Sequence, residues 1–254
     1  MPETIIELTL ILPAYNERSS IVATIQEAFA YFKSRNIPVE IIVAADGDDG
    51  TREVVREMAD RNANLRVIGH EERLGKGRGV REAVKLARGR IVGYADADNK
   101  VPIEEYEKIE LELSGYQVVT GSRGMATSRI ERPQPWHRRV GSKGFYYFLQ
   151  AVLGLPGVRD TQCGFKFFHR DVALSLFALQ QIDGYMFDVE ILMLAHRLGF
   201  RIKEVPIRWR DDDDSRLQLL SGNIRNAIDI FKIRLNLRRT IPAPTAISIA
   251  ANNE

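Results

Sequence analysis

Ile91-Val92-Gly93-Tyr94-Ala95-Asp96-Ala97-Asp98-Asn99 is a short apolar β-type run that stops at two carboxylates flanking one alanine. Alternate residues of an extended chain point to opposite faces, but where a strand frays into a turn two Asp one residue apart can lean to the same side. One can then grip a divalent cation while the other holds a ribose hydroxyl. Oxygen ligands of this kind suit Mg²⁺ or Mn²⁺, which use one or two carboxylates plus the phosphates of a substrate. A lone Asp-X-Asp is more simply a solvated turn, so its meaning depends on its surroundings.

Those surroundings repeat one rhythm. Leu8 to Leu12 is apolar and stops at Pro13, and Ser19 to Arg35 follows with helical periodicity through Ile21, Val22, Ile25, Ala28, Phe29 and Phe32. Strand-like Glu40–Ala45, Leu65–Gly69, Ile91–Ala95 and Gln117–Thr120 alternate with helix-like Thr51–Arg61, Lys76–Ala87 and Pro102–Leu113. The pattern predicts a doubly wound α/β fold with a mostly parallel sheet and right-handed crossovers. Ligands of such sheets sit beyond the carboxyl ends of the strands. Here those ends carry Tyr15-Asn16-Glu17, Asp46-Gly47-Asp48-Asp49, Gly75-Lys76-Gly77 and Asp96-Ala97-Asp98.

Two of these turns suit a nucleotide. Pro13 fixes the backbone, Tyr15 offers a ring to a base, and Glu17 or Asp46 can accept a hydrogen bond from a base N–H or a ribose hydroxyl. Gly75-Lys76-Gly77 is a basic turn opening a helix, where backbone N–H groups and Lys76 can meet an anion. Taken singly each is also an ordinary turn or a solvated charge; their shared rim favours the binding role.

The composition narrows the class. A chain of 254 residues can bury a large core, as one domain or as a domain with an appendage. Its 36 basic side chains nearly balance 34 acidic ones, which does not point to nucleic acid. The single cysteine, Cys163, makes no intramolecular disulfide and fits a reducing compartment. No basic segment leading into a cleavable apolar core opens the chain, and no apolar run reaches the ~20 residues that cross a bilayer. Any membrane contact is therefore expected to be peripheral, and a cytoplasmic side fits the lone cysteine.

After Thr120 the rhythm breaks. Gly121-Ser122-Arg123 opens a long polar stretch containing Arg129, Arg132, Trp136, His137, Arg138 and Arg139, whose arginines can clamp a phosphate; Arg138 and Ser142 stand one helical turn apart. Gly144 to Leu153 is a helix with little polar face, suited to a core or, beside arginines, to a lipid interface. Asp160 to Phe168 mixes a carboxylate, an amide and a cation with apolar residues. Phe187-Asp188-Val189-Glu190 opens an apolar helix, its acids serving as helix-start residues or as part of the site. Arg201 to Arg210 reads as a strand, and Asp211 to Asp214 with Ser215-Arg216 as a charged loop from which Arg216 can swing over a diphosphate. Leu219 to Leu237 reads as a basic amphipathic helix with Ile224, Ile228, Phe231 and Leu235 on one side. The expected division is 1–218 for the main domain and 219–254 for a C-terminal helix and tail.

Pro13-Ala14-Tyr15-Asn16-Glu17, Asp46-Gly47, Asp96-Ala97-Asp98, Gly121-Ser122-Arg123 and Asp160-Thr161-Gln162-Cys163-Gly164-Phe165-Lys166 together resemble the family 2 glycosyltransferases with the GT-A fold. Over residues 7 to 217 the chain is similar to polyprenyl-phosphate sugar transferases. The run Asp160 to Lys166 brings it nearest to dolichyl-phosphate β-glucosyltransferases, with dolichol-phosphate mannosyltransferases as further kin. The resemblance implies that Pro13, Ala14, Tyr15, Glu17 and Asp46 hold base and ribose, that Asp96 contacts nucleotide and metal, and that Asp98 binds the cation. It also implies that Arg123, Arg138 and Ser142 grip an acceptor phosphate and that Ser215-Arg216 lies near the donor phosphates. Two positions depart from the family pattern. Ala45 replaces the first Asp of the usual Asp-Asp-Gly turn, and Lys100 stands where mannosyl relatives have a metal-binding Gln.

The implied reaction moves glucose from UDP-glucose to a polyprenyl phosphate, with Asp98, Arg123 and Arg138 as its central side chains and Lys76 and Arg216 supporting the leaving diphosphate. GDP-mannose or UDP-N-acetylglucosamine as donor, a soluble acceptor, a nucleotidyltransferase, or a non-catalytic nucleotide-sugar-binding module are the alternatives. Both carboxylates of Asp-Ala-Asp argue against the last. Ala14-Tyr15-Asn16-Glu17 stands where a nucleotidyltransferase has a Gly-rich basic loop.

Overall fold

A computed structural model describes residues 5–131, 144, 147–155, 157–210 and 221–240, apart from the side chains of 221–224 and 238–240. Seven strands form one sheet: β1 (Leu8–Tyr15), β2 (Val39–Asp46), β3 (Leu65–Ile68), β4 (Ile91–Ala95), β5 (Val118–Ser122), β7 (Phe165–His169) and β8 (Ile202–Pro206), in the order β3-β2-β1-β4-β7-β5-β8. A parallel pair, β6 (Arg129–Ile130) and β9 (Arg208–Trp209), stands beside it.

The alternation of side chains along the strands divides the core into two layers. Leu8, Leu10 and Leu12 of β1, Ile41 and Val43 of β2 and Phe165 and Phe167 of β7 pack under α1 (Ile21–Ser34), α2 (Thr51–Ala59) and α4 (Tyr106–Leu113). Ile11, Ile42, Tyr94 and Phe168 face the opposite way. They meet α3 (Lys76–Lys85), α5 (Arg170–Leu179), α6 (Phe187–Arg197) and α7 (Ser221–Thr240). The chain winds outward from β1 through β2 to β3 and then returns to β4 on the other side of β1. The crevice between the ends of β1 and β4 is thus the topological switch point, where open α/β sheets bind ligands. It lies between Tyr15-Asn16-Glu17 and Asp96-Ala97-Asp98.

The expected strand and helix alternation is present, with corrections of physical interest. β1 runs on through Pro13 to Tyr15 instead of stopping at the proline. Its pairing with β4 ends at Ile11, so Pro13 stands on a strand open to one side, where a missing N–H is tolerated. The expected strand Arg201–Arg210 is two strands split at Ile207.

Helix α5 follows β7 without a breaking residue and is not marked in the sequence pattern. β7 is antiparallel to both neighbours, with Lys166 opposite Tyr94 and Thr120. Its beginning, not its end, therefore reaches the ligand rim, and this carries Asp160 to Gly164 there.

Helix α7 buries Ile230, Ile233 and Leu237, while the expected apolar side, Ile228, Phe231 and Leu235, is about half exposed. The helix has two apolar stripes, and the one at spacing i, i+3, i+7 meets the core of α6. Ile224 lies among the undescribed side chains. No helix among the described residues is long and apolar enough to cross a membrane.

Candidate active site

The four turns at the strand ends are hydrogen-bonded to one another. Asn16 N–H donates to the Asp46 carbonyl at 3.4 Å, and Asp48 N–H donates to Asn16 Oδ1 at 3.2 Å. Gly47 has φ of +110°, and a Cβ there would lie 1.9 Å from Asn16 Oδ1, so only glycine allows this contact. Asp46 accepts backbone N–H groups from His70 (3.3 Å), Leu74 (2.8 Å) and Gly75 (3.3 Å), which ties the β2 turn to the start of α3. Thr24 Oγ1 donates to the Ala97 carbonyl at 2.9 Å and fastens α1 to the Asp-Ala-Asp turn.

Around the place expected for a base, Ala14 is buried and Pro13 half-buried, while Tyr15 is exposed. The Arg73 guanidinium covers the Tyr15 ring at 4.3 Å and donates to Tyr185 Oη at 2.9 Å. Glu17 accepts the Ser20 hydroxyl at 2.9 Å, and its backbone N–H is held by Thr51 Oγ1 at 3.0 Å. Asp46, expected to meet base or ribose, also positions the α3 turn through the three N–H groups above and stays partly exposed. Ala45, at the departure from the usual turn, is buried, and its carbonyl accepts from Arg52 at 3.2 Å.

Lys76 and Asp96 come together as the shared rim requires. Lys76 Nζ stands 2.6 Å from Asp96 Oδ1 and 3.9 Å from Asp188 Oδ2. Burial alone lowers an ammonium pKa, but Asp96 and Asp188 outweigh it, and Lys76 is held above the usual lysine range. Behind it lies a chain of opposite charges that the sequence reading did not assemble. Fully buried Lys166 donates to Asp188 Oδ1 at 2.5 Å and to the Cys163 carbonyl at 2.5 Å, and Tyr94 Oη donates to Asp188 Oδ1 at 2.6 Å. Burial, followed by the negative charge of Asp188, raises the Tyr94 pKa well above its ordinary value, so the phenol remains a donor. The available signal was a lysine between two phenylalanines in a strand, since an ammonium in a sheet core needs a buried anion.

Glu190 accepts N–H groups from Gln181 (3.1 Å) and Ile182 (2.8 Å), and the neighbouring Asp183 carbonyl accepts Arg78 N–H at 3.2 Å. Asp188 and Glu190 thus both brace the first turn of α3 that carries Lys76. Asp188 sits directly behind the site, and Glu190 acts through the 181–183 turn.

The segment Asp160 to Lys166 divides its work among its residues. Asp160 takes Arg123 in a two-pronged pair, Nε to Oδ2 at 2.7 Å and Nη2 to Oδ1 at 2.9 Å. Burial works against both charges, but their attraction prevails and depresses the Asp160 pKa while raising that of Arg123. Arg123, expected to grip an acceptor phosphate, is therefore held by an internal carboxylate, with Trp209 beside its guanidinium at 5.4 Å.

Gly164 lies against Asp96: its carbonyl accepts Asp96 N–H at 3.0 Å, and a Cβ there would come within 2.1 Å of Asp96 Oδ2. Burial, with Asp160 second, pushes the Cys163 thiol up to about 12, which keeps it an inert packing group. Arg138, Ser142 and Arg216 lie outside the described residues.

Asp96 and Asp98 fit a divalent cation by donor chemistry. Both are carboxylates at the rim, and both are partly open, with side chains 42% and 35% exposed. No group of three His, Cys, Asp or Glu suited to a metal occurs among the described residues, so such an ion would take its remaining oxygens from a diphosphate and water. Lys100 lies beside this pair, with Nζ 3.1 Å from Asp98 Oδ2, and it cannot serve as a ligand.

Comparisons with known proteins bear on the family and the fold. The family model described as Glycosyl transferase family 2 matches residues 9–177. A dolichyl-phosphate beta-glucosyltransferase of Dictyostelium discoideum is 32% identical over 243 residues, covering 90% of this chain and 74% of that protein. One of Saccharomyces cerevisiae is 30% identical over 248 residues, covering 90% and 74%. Among solved structures, glucosyl-3-phosphoglycerate synthase of Mycobacterium tuberculosis, crystallised with Mn²⁺, UDP and phosphoglyceric acid, superposes with a TM-score of 0.66 at 21% identity. The match covers 94% of this chain and 80% of that one. The expected α/β class and GT-A architecture are borne out.

Proposed function

The chain belongs to the family 2 glycosyltransferases, and on that premise we propose that it transfers glucose from UDP-glucose to a polyprenyl phosphate of the dolichyl type at a membrane surface. The observation that carries the reading is the Asp96 and Asp98 pair at the switch point, backed by Lys76 and Gly164 and joined to the turns after β1 and β2. The donor sugar and lipid acceptor are those named for the relatives above.

In this reading Tyr15, Glu17 and the adjoining Pro13-Ala14 backbone receive base and ribose, and Asp46 supports them by fixing the α3 turn. Mg²⁺ or Mn²⁺ held by Asp98 and Asp96 would neutralise charge growing on the leaving diphosphate. Lys76 and Arg216 add positive charge there. The acceptor needs no general base. A phosphate monoester has a second pKa near 6, so its oxygen is anionic at neutral pH. That oxygen forms the new bond to the anomeric carbon as the bond to the donor β-phosphate breaks, its electron pair leaving with the diphosphate; in-line displacement inverts configuration. Arg138 and Ser142 orient the acceptor phosphate. Arg123 contributes positive charge from its seat on Asp160, which keeps the guanidinium in one orientation.

Membrane contact is peripheral in this proposal. Tyr147 and Phe148 are exposed, as are Ile228, Phe231 and Leu235 of α7, and the Phe148 and Phe231 rings lie 6.4 Å apart. Arg225, Lys232 and Arg234 are exposed on the same helix. Half-exposed aromatics flanked by cations suit the boundary between acyl chains and anionic headgroups. The buried lone thiol of Cys163 fits a cytoplasmic location.

The test is a donor screen: purified protein, Mn²⁺, a short polyprenyl phosphate and UDP-glucose, GDP-mannose or UDP-N-acetylglucosamine in separate reactions. Glucolipid from UDP-glucose at a rate at least about tenfold above the other donors is expected. A higher rate with GDP-mannose would overturn the choice of donor.

A further inference from the structure

Each carboxylate of the Asp-Ala-Asp pair is occupied by an ammonium of this chain. Lys76 Nζ lies 2.6 Å from Asp96, and Lys100 Nζ lies 3.1 Å from Asp98. Neither contact is a loose surface pairing, because the two lysine side chains are only 16% and 18% exposed.

The backbone builds the second contact deliberately. Asn99 has φ of 54°, a left-handed turn that folds Lys100 back, so that its N–H (3.3 Å to Asp98 Oδ1) and its Nζ both face Asp98. Asn99 Nδ2 donates to Glu27 on α1 at 2.5 Å, and the Lys100 carbonyl accepts Arg210 N–H at 2.8 Å, which fastens the turn on both sides. Lys76 is braced by Asp188 and stands 5.8 Å from the Phe187 ring centre.

Two ammoniums against two carboxylates leave the pair without net charge. A divalent ion arriving alone meets two positive charges at contact range and little attraction. A nucleoside diphosphate changes that balance, since its oxygens can accept both ammoniums and release the carboxylates to the ion. We propose that Lys76 and Lys100 form a cation gate: by pairing with Asp96 and Asp98 they oppose entry of a divalent ion alone, so that it enters only together with the diphosphate. The inference rests on the donor chemistry proposed above and adds an order of binding to it. It also gives a role to Lys100, a residue that cannot ligate the ion whose site it adjoins.

The experiment is a titration of the full chain with Mn²⁺, following the free-ion electron paramagnetic resonance signal, with and without UDP. Wild type is expected to take up Mn²⁺ with UDP beyond what UDP alone binds, and at least about tenfold more weakly without it. Lys100→Met is expected to bind Mn²⁺ without UDP about tenfold more tightly than wild type, the scale of one unit charge removed a few ångströms away in a half-solvated site. Lys100→Arg keeps the charge and is expected to behave as wild type.

Unchanged or weaker nucleotide-free binding by Lys100→Met, in protein with a normal melting temperature, overturns the gate while leaving the proposed function standing. Should that variant not fold, Lys76→Met supplies the same comparison at Asp96, with the same two outcomes. If wild type takes up no Mn²⁺ even with UDP, the cation site fails and the gate fails with it.

Discussion

The two ends of the central sheet carry the same chemistry to opposite purposes. At the amino ends of the strands, fully buried Glu40 accepts the Thr9 hydroxyl (2.7 Å), Arg88 N–H (2.7 Å), Arg88 Nε (2.8 Å) and Arg66 Nη2 (2.8 Å). At the carboxyl ends, Asp96 meets the Lys76 ammonium and Asp98 the N–H and ammonium of Lys100, and both stay partly open to solvent. A carboxylate whose oxygens are all engaged has nothing left to exchange. One held by a single ammonium can trade that partner for a cation. The number of hydrogen bonds, more than the charge, separates the structural acid from the functional ones.

Substitutions can break this contrast from either side. Asp98→Ala is expected to slow glucolipid formation on the order of 10³-fold at saturating Mn²⁺, with a melting temperature close to wild type; full turnover would remove the cation role from that residue. Glu40→Ala is expected to do the reverse. It leaves the Thr9 hydroxyl and Arg88 N–H without their acceptor and costs about 1–3 kcal/mol in a urea unfolding curve, while transfer per folded molecule is unchanged.

The buried Lys166 and Asp188 pair joins the two kinds of behaviour. Lys166→Met alone leaves Asp188 without its buried cation and is expected to cost about 3 kcal/mol. Combined with Asp188→Asn, most of that stability returns, to within about 1–2 kcal/mol of wild type. Transfer should remain about tenfold down, because Lys76 has lost the anion behind it. Recovery of both stability and rate in the double variant would make the pair purely structural.

Acid sharpens the comparison. For Glu40, burial pushes the pKa up, but the hydrogen bonds from Thr9 and Arg88 prevail and hold it below the ordinary value. Its stabilisation is present above the unfolded-chain pKa of about 4.3 and is lost as pH falls through the lower folded value. Asp160, depressed by Arg123 against its own burial, behaves alike from about 3.9 downward. Thermal unfolding from pH 6 to pH 3 is expected to show a falling melting temperature below about pH 4, with a shallower fall in Glu40→Gln. The smallest effect belongs to the exposed Arg35 and Glu110 bridge of 3.1 Å. Glu110→Ala should change stability by less than about 0.5 kcal/mol in the same assay.

The half of the fold from β1 to β4 was legible because apolar periodicity and turn residues there agree. Once the crossovers are right-handed, the strand ends must share a rim, so the meeting of Lys76 with Asp96 followed from order alone. Direction was not legible. The alternation of Phe165, Phe167 and Phe168 suits a strand of either sense, and only the antiparallel one brings Gly164 to Asp96. Roles within the rim were also hidden, because a carboxylate that binds and one that braces look alike in sequence. Asp46 accepts three N–H groups around the α3 turn, and Asp188 and Glu190 stand behind Lys76. On α7 two apolar stripes compete, and only the shape of the core decides that Ile230, Ile233 and Leu237 turn inward.

The central claim, glucosyl transfer to a lipid phosphate from a rim built on Asp96 and Asp98, is tested most directly by competition. UDP-[¹⁴C]glucose and Mn²⁺ are given to wild type with equal amounts of a short polyprenyl phosphate and 3-phosphoglycerate, and label is counted after organic extraction. Label is expected in the organic phase for wild type and in neither product for Asp98→Ala. Wild-type label recovered as a water-soluble glucosyl phosphoglycerate, with none in the lipid, would contradict it.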